Sequence, residues 1–476
     1  MIIRTLPYIL YRDYPEFGYL TDNRSFGYDT ASRSCIKVGE LLLSKTGSTF
    51  YSILSDDSQE IDSILTRLYQ LYPNISSDII RSDATEFYQT LHSKGFIYWG
   101  EEAGYSDTIM QRFSYNNRQP YELNVQEEQS TSSVYQDTFA GRYQLSRVHI
   151  DVSSRCNEHC IHCYIPNKNK CSIMTGDLFY NVLRQCKEMN VLNLTISGGE
   201  PMLNPQLKDF LLACQEQNFS VNLLSNLTLL TDELLGIIAN YPILSIQTSL
   251  YAMNPEIHDS ITGHKGSFIK TIGAIKTLHE LDIPLQINCP IMKQNRYCYK
   301  EVLEYASSLN IEADADYSLY GCYDSSCGNL TCRLSIEEIE TIIKEDISNK
   351  SLREKIEDTI KSKKVNDDTY ICPVCKSSLC ISNSGVVYPC EGWQSLSLGS
   401  LTDSNLREIW ENSTQVNQLR TLTYEDLPEC SICADRKFCT TCLIMNANED
   451  EHGDYRHVNT FMCSVARLKK DSLAKC

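Results

Sequence analysis

The sequence predicts an α/β protein built around a partial (β/α)6 barrel, with a winged-helix-like domain before it and a cysteine-rich domain after it. Two observations support this prediction. Six short apolar segments alternate with helical segments between residues 148 and about 317. The 22 cysteines gather mainly at 156–163 and 372–463. Apolar strands that alternate with helices of ~10–15 residues are typical of a parallel sheet with crossover helices.

Composition restricts the class of protein. A chain of 476 residues with 42% hydrophobic residues is long enough for several packed domains. The net charge of −18 argues against a nucleic-acid or membrane-surface partner, because phosphates would be repelled. The start, MIIRTLPYILYRDYPEF, lacks the features of a signal peptide, and no run of ~18 apolar residues follows. We therefore expect a cytoplasmic protein that begins with a β-strand and uses its cysteines to bind metal rather than to form disulfides.

Residues 1–112 are expected to form the first domain. Strand-like LPYILYR, FGYLTD and KVGELLLS precede the helical segments GSTFYSIL, EIDSILTRLYQLY and SSDIIRSDATEFYQTLHSKG, and the apolar FIYWG follows. Three strands, three helices and a final strand describe a winged-helix-like domain. Such domains often bind DNA, but this one lacks a basic stripe. Residues 113–145 are polar and predict a linker or lid.

The barrel is assigned to residues 146–330. Its expected strands are VHIDV, LNLTI, SVNLLSN, ILSIQTSL, PLQINCPI and IEADADYSL, and each of the first five is followed by a helical segment. Functional residues should lie at the carboxyl ends of these strands. A charged stretch at 331–370 is expected to form bridging helices. Residues 371–476 have short elements and many cysteines, which predicts a domain organised by metal.

A loop with three cysteines, CNEHCIHCY, follows the first barrel strand directly. Cys156, Cys160 and Cys163 are close enough in sequence to share a metal. A structural zinc ion needs four ligands, which His159 or His162 could complete. A [4Fe–4S] cluster held by three thiolates instead leaves one iron free for a substrate or cofactor.

Together with later motifs, this loop resembles the signature of radical SAM enzymes over residues 148 to about 317. SGGEP resembles the motif that binds the methionine amino group of S-adenosyl-L-methionine (SAM), and LLSN resembles a strand end that contacts the ribose. IQTSLYAMNPEIHDSITGHKGSF resembles the stretch whose serine contacts the nucleoside. The SAM-binding residues that the resemblance implies are Tyr164, Gly198, Gly199, Glu200, Pro201, Ser225, Asn226 and Ser249.

The resemblance also implies the chemistry. One electron from an external flavodoxin- or ferredoxin-type donor passes through the cluster to SAM, and the 5′-deoxyadenosyl radical that results abstracts hydrogen from the substrate. Glu200 would supply its carboxylate to the ammonium group of SAM. His159 and His162 then become spacers in the loop.

The C-terminal cysteines resemble those of the SPASM domain, which carries two auxiliary [4Fe–4S] clusters. The resemblance assigns the first cluster to Cys372, Cys390, Cys442 and either Cys375 or Cys380, of which we take Cys375. It assigns the second cluster to Cys430, Cys433, Cys439 and Cys463. Two residues rather than the usual three separate Cys439 from Cys442, and paired zinc ribbons are the alternative. Glu391, directly after Cys390, is a candidate general base, with a solvated or salt-bridged glutamate as the alternative.

Residues 1–112 resemble the leader-recognition domain that is related to the small chaperone of PQQ biosynthesis. A leader-binding domain, a radical SAM barrel and a SPASM domain, in this order, are typical of enzymes that modify ribosomally made precursor peptides. We expect a thioether cross-link from a cysteine sulfur to a carbon. The alternatives are a carbon–carbon or carbon–oxygen cross-link, epimerisation, sulfatase-type oxidation of a protein residue, or an adaptor that only binds peptide.

Overall fold

A computed structural model describes residues 1–22, 38–102, 104–105, 131–241, 244–363 and 370–474. Most of the predicted linker, up to residue 130, lies outside these ranges. Within them, no helix is both long and apolar enough to cross a membrane.

The described part of the N-terminal region contains two small antiparallel sheets and the three helices that the sequence predicts. Its first residues form two strands rather than one. One sheet has the order β5-β1-β6 and the other β2-β3-β4. The strands are β1 (Ile2–Thr5), β2 (Ile9–Asp13), β3 (Gly18–Asp22), β4 (Glu40–Leu43), β5 (Gln59–Glu60) and β6 (Ile97–Gly100). The helices are α1 (Lys45–Ser52), α2 (Ile61–Leu71) and α3 (Ser77–Ser93).

A fourth helix, α4 (Thr131–Thr138), lies within the segment predicted to be a linker. The aromatic ring of Tyr135 packs 5.3 Å from that of Tyr19 on β3, and Phe139 lies 5.1 Å from Tyr14. The backbone N–H of Tyr135 also donates to Glu40 Oε2 on β4 at 3.0 Å. This part of the segment is therefore a helix that covers the β2-β3-β4 sheet, because its aromatic residues have an apolar surface to bury.

Six parallel strands form the barrel, and their order β12-β11-β10-β9-β8-β7 follows the chain. This confirms the predicted α/β fold with six units. The strands are β7 (Arg147–Ser153), β8 (Asn193–Gly198), β9 (Ser220–Leu224), β10 (Leu244–Ser249), β11 (Leu285–Asn288) and β12 (Glu312–Asp314). The helices are α5 (Gly176–Glu188), α6 (Leu207–Glu216), α7 (Asp232–Ala239), α8 (Pro255–Thr262), α9 (Ser267–Glu280) and α10 (Tyr299–Ser308). The sequence predicts α9 from the segment GSFIKTIGAIKTLHEL but does not predict the shorter helix α8 before it.

The two faces of the barrel sheet differ in chemistry. On β7, Val148, Ile150 and Val152 are buried in the apolar core, and the residues between them point to the opposite face. That opposite face is polar, with hydrogen bonds that cross between neighbouring strands. They join Asn193 to Ser220 at 2.6 Å, Ser245 to Asn222 at 2.6 Å and Gln247 to Gln286 at 2.8 Å. The polar face is the one that a substrate inside the barrel would meet.

The C-terminal region continues the barrel sheet. Strand β13 (Ser378–Ile381) pairs in parallel with β7, and β14 (Val386–Tyr388) and β15 (Gly399–Ser400) extend the sheet to nine strands. Although residues 371–476 are predicted to form a domain of their own, the sheet continues from barrel strand β7 into β13, β14 and β15. The remaining helices are α11 (Ile336–Ser348), α12 (Lys350–Ser362), α13 (Leu406–Asn412), α14 (Thr414–Thr421), α15 (Pro428–Ser431), α16 (Leu443–Glu449) and α17 (Thr460–Leu473).

The N-terminal region is attached to the barrel through strand β2. The Arg12 side chain is 1% exposed and donates to the backbone oxygens of Val191 at 2.8 Å and Asn218 at 2.9 Å. The side chain of Asn218 accepts from the N–H of Tyr11 and donates to the oxygen of Ile9, both at 3.0 Å. The side-chain amide of Asn218 thus forms hydrogen bonds with the backbone at the outer edge of β2, as a neighbouring strand would.

Candidate active site

The three cysteines of the CNEHCIHCY loop lie together beyond the carboxyl end of β7. Burial raises the pKa of the Cys160 thiol well above its ordinary value, and Glu158, Cys163 and Cys156 raise it further. Burial is also the main reason that the Cys156 pKa rises to about 12. Partly buried thiols this close to one another favour a bound metal, which would stabilise their thiolate forms.

The backbone of the loop is fixed by the end of helix α8. The N–H groups of His159 and Ile161 donate to the carbonyl oxygens of Thr262 and Ile261 at 2.8 and 3.0 Å. Gly263 follows with a φ of 62°, and a Cβ there would lie 2.9 Å from the oxygen of His159. A glycine is therefore required for the helix end to approach the cysteine loop.

The two glycines of SGGEP bring the end of β8 against the same loop. Gly198 has a φ of 131°, and a Cβ on it would lie 1.9 Å from the oxygen of Ser153. The N–H of Gly199 donates to that oxygen at 2.6 Å, and a Cβ on Gly199 would lie 2.5 Å from the oxygen of Arg155. These distances leave no space for a side chain at either position.

Glu200 is fully buried and uses its carboxylate within the protein. Its Oε1 accepts from the N–H of Met202 at 2.9 Å and from the Ser225 hydroxyl at 2.8 Å, and its Oε2 accepts from the N–H of Asn226 at 2.9 Å. Burial raises the pKa of Glu200 to about 7 despite these three bonds. The carboxylate therefore positions the end of β9, and its contact with the SAM ammonium group stays a prediction.

A cavity of about 280 Å³ opens between the cysteine loop and the carboxyl ends of strands β8–β11. All three cysteines of the loop line it. So do six of the eight residues predicted to bind SAM, whereas Glu200 and Pro201 are not in its wall. The six are Tyr164, Gly198, Gly199, Ser225, Asn226 and Ser249.

Sequence reasoning missed several residues of this cavity. The sequence predicts that His162 is a spacer in the loop, but its side chain lines the cavity. Its Nε2 lies 3.4 Å from the hydroxyl of Tyr251. Burial lowers the pKa of His162 to about 4, which keeps the imidazole neutral. The N–H of Tyr251 in turn donates to Nδ1 of His258 at 3.3 Å. Tyr251 lies two residues after Ser249, just past the end of strand β10. This position was the one sequence feature that could have identified it as a cavity residue.

Four cysteines come together next to β13. Burial raises the pKa of the Cys375 thiol to about 12 and that of Cys442 to about 11, and Cys372 adds to both shifts. Cys372 also adds to the rise at Cys390 that burial causes. Cys372 thus lies near Cys375, Cys390 and Cys442, despite the shorter spacing before Cys442. Cys380 lies beside His149 and Asp151, and Cys390 adds to the rise in its pKa. The assignment of Cys375 rather than Cys380 to the first cluster stays a prediction.

The second predicted set of four also comes together. Burial raises the pKa of the Cys430 thiol to about 11, with further contributions from Cys439, Cys463 and Cys433. The described cysteines are all free of disulfide bonds. Two groups of four neighbouring thiols each supply the four ligands that a [4Fe–4S] cluster needs.

Glu391 lies between the first group of four and the barrel. The Cys390 thiol donates to its Oε2 at 2.9 Å. Burial would raise the pKa of Glu391, but the nearby His149 and this hydrogen bond hold it below the ordinary value. The carboxylate is therefore ionised at neutral pH, in the form that accepts a proton.

Sequence comparisons agree with this geometry. Residues 150–306 match the radical SAM superfamily, and residues 372–435 match the SPASM domain, an iron-sulfur cluster-binding domain. The chain therefore carries a radical SAM domain and a SPASM domain.

Two similar proteins carry names that describe different reactions. An AdoMet-dependent heme synthase from Methanosarcina barkeri is 25% identical over 61% of this chain and 89% of its own length. A PqqA peptide cyclase from Bradyrhizobium diazoefficiens is 24% identical over 60% of this chain and 78% of its own. The two names describe different reactions, so sequence similarity does not identify the substrate.

A solved structure shares the fold over nearly the whole chain. It is Streptococcus suis SuiB bound to the precursor peptide SuiA, with a TM-score of 0.58, 16% identity and coverage of 97% of this chain and 100% of that one. The likeness therefore extends from the radical SAM and SPASM domains to the N-terminal region.

These domains require SAM and more than one [4Fe–4S] cluster. The described residues fit both cofactors. Three thiols border a cavity whose wall holds most of the predicted SAM contacts, and two further groups of four thiols lie in the SPASM region. Cys156, Cys160 and Cys163 would hold the cluster that binds SAM and leave its fourth iron to the cofactor.

Proposed function

We propose that this enzyme modifies a ribosomally made precursor peptide and forms a thioether cross-link between a cysteine sulfur and a carbon. The proposal rests mainly on the N-terminal sheet. Asn218 caps one edge of that sheet, whereas strand β4 forms the other edge and pairs on one side only among the described residues. Leu42 on β4 is 41% exposed. An extended leader peptide would add to this edge as a further strand.

The comparisons support a peptide substrate. The name of one relative describes cyclisation of a peptide, and SuiB was solved with its precursor peptide. Because the likeness to SuiB covers 97% of this chain, the N-terminal region takes part in the shared fold. An N-terminal region of this kind argues against the sulfatase-maturing alternative, which acts on a folded protein and needs no leader reader.

The chemistry is divided between the cofactor and the chain. With an electron from a flavodoxin- or ferredoxin-type donor, SAM supplies a 5′-deoxyadenosyl radical that abstracts hydrogen. The glycines at 198–199 and the strand end at 225–226 shape the SAM cavity, and the polar inner face of the barrel receives the peptide. Glu391 would accept the proton that the peptide thiol releases when its sulfur bonds to the carbon radical. An auxiliary cluster held by the SPASM cysteines would accept the electron that this bond formation also releases.

The decisive experiment combines the anaerobically reconstituted enzyme with SAM, a reductant and the short peptides encoded near its gene. We expect 5′-deoxyadenosine, loss of two hydrogens from one peptide, and loss of one cysteine that iodoacetamide can alkylate. Loss of two hydrogens with all thiols still reactive would instead indicate a carbon–carbon or carbon–oxygen link. An unchanged mass with deuterium taken up from heavy water would indicate epimerisation.

Leader binding is tested on the exposed edge. Leu42→Glu should weaken precursor binding at least tenfold in fluorescence anisotropy without changing SAM cleavage in the absence of peptide. Leu281→Glu is the matched control, because Leu281 is 48% exposed at the end of barrel helix α9. Equal binding by both variants would refute the role of β4.

A further inference from the structure

His149, Asp151 and Cys380 form a compact group on the inner face of the sheet, next to the first group of four cysteines, since Cys390 adds to the rise in the pKa of Cys380. One ligand atom from each residue lies within 4.8 Å of the others. His149 and Cys380 face each other across the parallel pair β7 and β13, and Asp151 is two residues further along β7 on the same face. The group therefore depends on the strand pairing that joins the barrel to the SPASM region.

The spacing of the group is close to that of a zinc site. His149 Nε2 lies 3.1 Å from Asp151 Oδ1. In a tetrahedral site with bonds of about 2.0–2.1 Å, a nitrogen and an oxygen ligand are about 3.3 Å apart. In the same ideal site, a sulfur ligand lies about 3.6 Å from the nitrogen and oxygen ligands. A small side-chain movement would therefore bring His149, Asp151 and Cys380 onto one ion.

The side chains are held in place before any ion binds. Gln394 Nε2 donates to Asp151 Oδ2 at 2.7 Å, which leaves Oδ1 directed at the histidine. Cys380 is 0% exposed, and its thiol has no hydrogen-bond partner among the described residues. Support of a ligating carboxylate by an outer amide is a common feature of metal sites.

The charges around the group also favour a cation. Asp151, Glu391 and Cys390 are all close enough to Cys380 to add to the rise in its pKa that burial causes. His149 is the basic group that faces them. Two carboxylates and a thiol around one imidazole, away from bulk water, leave an excess of negative charge that a divalent ion would neutralise.

We propose that His149, Asp151 and Cys380 bind a zinc ion through one nitrogen, one oxygen and one sulfur. Three protein ligands leave a fourth coordination position, as in catalytic zinc sites. A ligand set with one sulfur, one imidazole and one carboxylate suits zinc better than magnesium or calcium, which prefer oxygen ligands. Binding releases the thiol proton of Cys380 to solvent.

The test measures metal in the full-length protein, isolated anaerobically from cells grown with added zinc. We expect about one zinc per chain by mass spectrometry of the metals, with one sulfur at about 2.3 Å and nitrogen or oxygen at about 2.0–2.2 Å in zinc X-ray absorption. Cys380→Ser and Asp151→Asn should each lose the zinc and keep the iron. Cys214→Ser, a buried thiol on helix α6, should keep both metals.

Three results would overturn the proposal. The first is a wild-type protein without zinc. The second is zinc bound by sulfur alone, which would indicate a cluster site filled with the wrong metal. The third is loss of about four irons from Cys380→Ser, which would make Cys380 a cluster ligand. If Cys380→Ser does not fold, Asp151→Asn, which has nearly the same shape as the native residue, decides the question by the same measurements.

Discussion

The hydroxyl of Ser225 donates to Glu200 Oε1 at 2.8 Å, which joins the loop after β8 to the end of β9 at the wall of the SAM cavity. Ser225→Ala removes a hydrogen bond to a fully buried carboxylate, worth about 1.5 kcal/mol. We expect SAM to bind about tenfold more weakly in anaerobic calorimetry. The matched control is Ser245→Ala, which breaks a similar bond to Asn222 at 2.6 Å away from the cavity wall. Equal weakening in both variants would contradict a local role for Ser225.

Gly198 and Gly236 provide a paired test of backbone fit. A Cβ at Gly198 would lie 1.9 Å from the oxygen of Ser153 and at a φ of 131°, whereas nothing lies within 4 Å of a Cβ at Gly236 on helix α7. Gly198→Ala should abolish SAM binding, because the end of β8 must move away from the cysteine loop. Gly236→Ala should stabilise the protein by about 0.5–1 kcal/mol in chemical unfolding. Retained SAM binding by Gly198→Ala would show that the close approach is not required.

The sequence predicts local features of this protein better than contacts between distant segments. The barrel strands are predicted from apolar segments that alternate with helical segments. Most of the cavity residues are predicted from their positions at strand ends. The capping of β2 by Asn218 and the pairing of β13 with β7 depend on segments far apart in the chain, which no local pattern encodes. The burial of Glu200 could not be predicted either, because its hydrogen-bond partners at 225–226 become neighbours only when the strands pair.

Arg12 should contribute strongly to stability because its side chain satisfies two backbone oxygens of the barrel. Arg12→Ala leaves the carbonyls of Val191 and Asn218 without this donor and buried, at a cost of about 3 kcal/mol. Chemical unfolding followed by circular dichroism would measure the loss. Lys208→Ala is the control, because its ion pair with Glu233 is exposed at the surface and should change stability by less than about 0.5 kcal/mol. A similar loss in both variants would argue against the role of Arg12.

Glu40 should make the stability of the N-terminal region depend on pH. Burial raises its pKa to about 7, above the ordinary value of 4.5. The folded state thus holds a proton that the unfolded state has lost, so stability falls as pH rises from about 4.5 through 7. Glu40→Gln should reduce this fall in thermal unfolding between pH 5 and pH 8, and Glu60→Gln, on β5 of the other N-terminal sheet, is the matched control. An unaltered pH dependence in Glu40→Gln would refute the assignment.

Iron content can separate the three groups of cysteines. Three [4Fe–4S] clusters correspond to about twelve irons per chain. Replacing Cys156, Cys160 and Cys163 with alanine should remove about four irons and all 5′-deoxyadenosine production, since SAM would lose the iron that binds it. Replacing Cys430 and Cys433 should also remove about four irons but leave uncoupled SAM cleavage intact.

The control for both variants is Cys171→Ala, because the thiol of Cys171 is exposed and belongs to none of the three cysteine groups. This substitution should leave the iron content unchanged. Zinc in place of iron in the Cys430 group would support the zinc-ribbon alternative. Continued SAM cleavage by the triple variant would contradict the assignment of the cysteine loop. Loss of all iron from either variant would mean that the clusters assemble together, because the continuous sheet from β7 to β15 couples the barrel to the SPASM region.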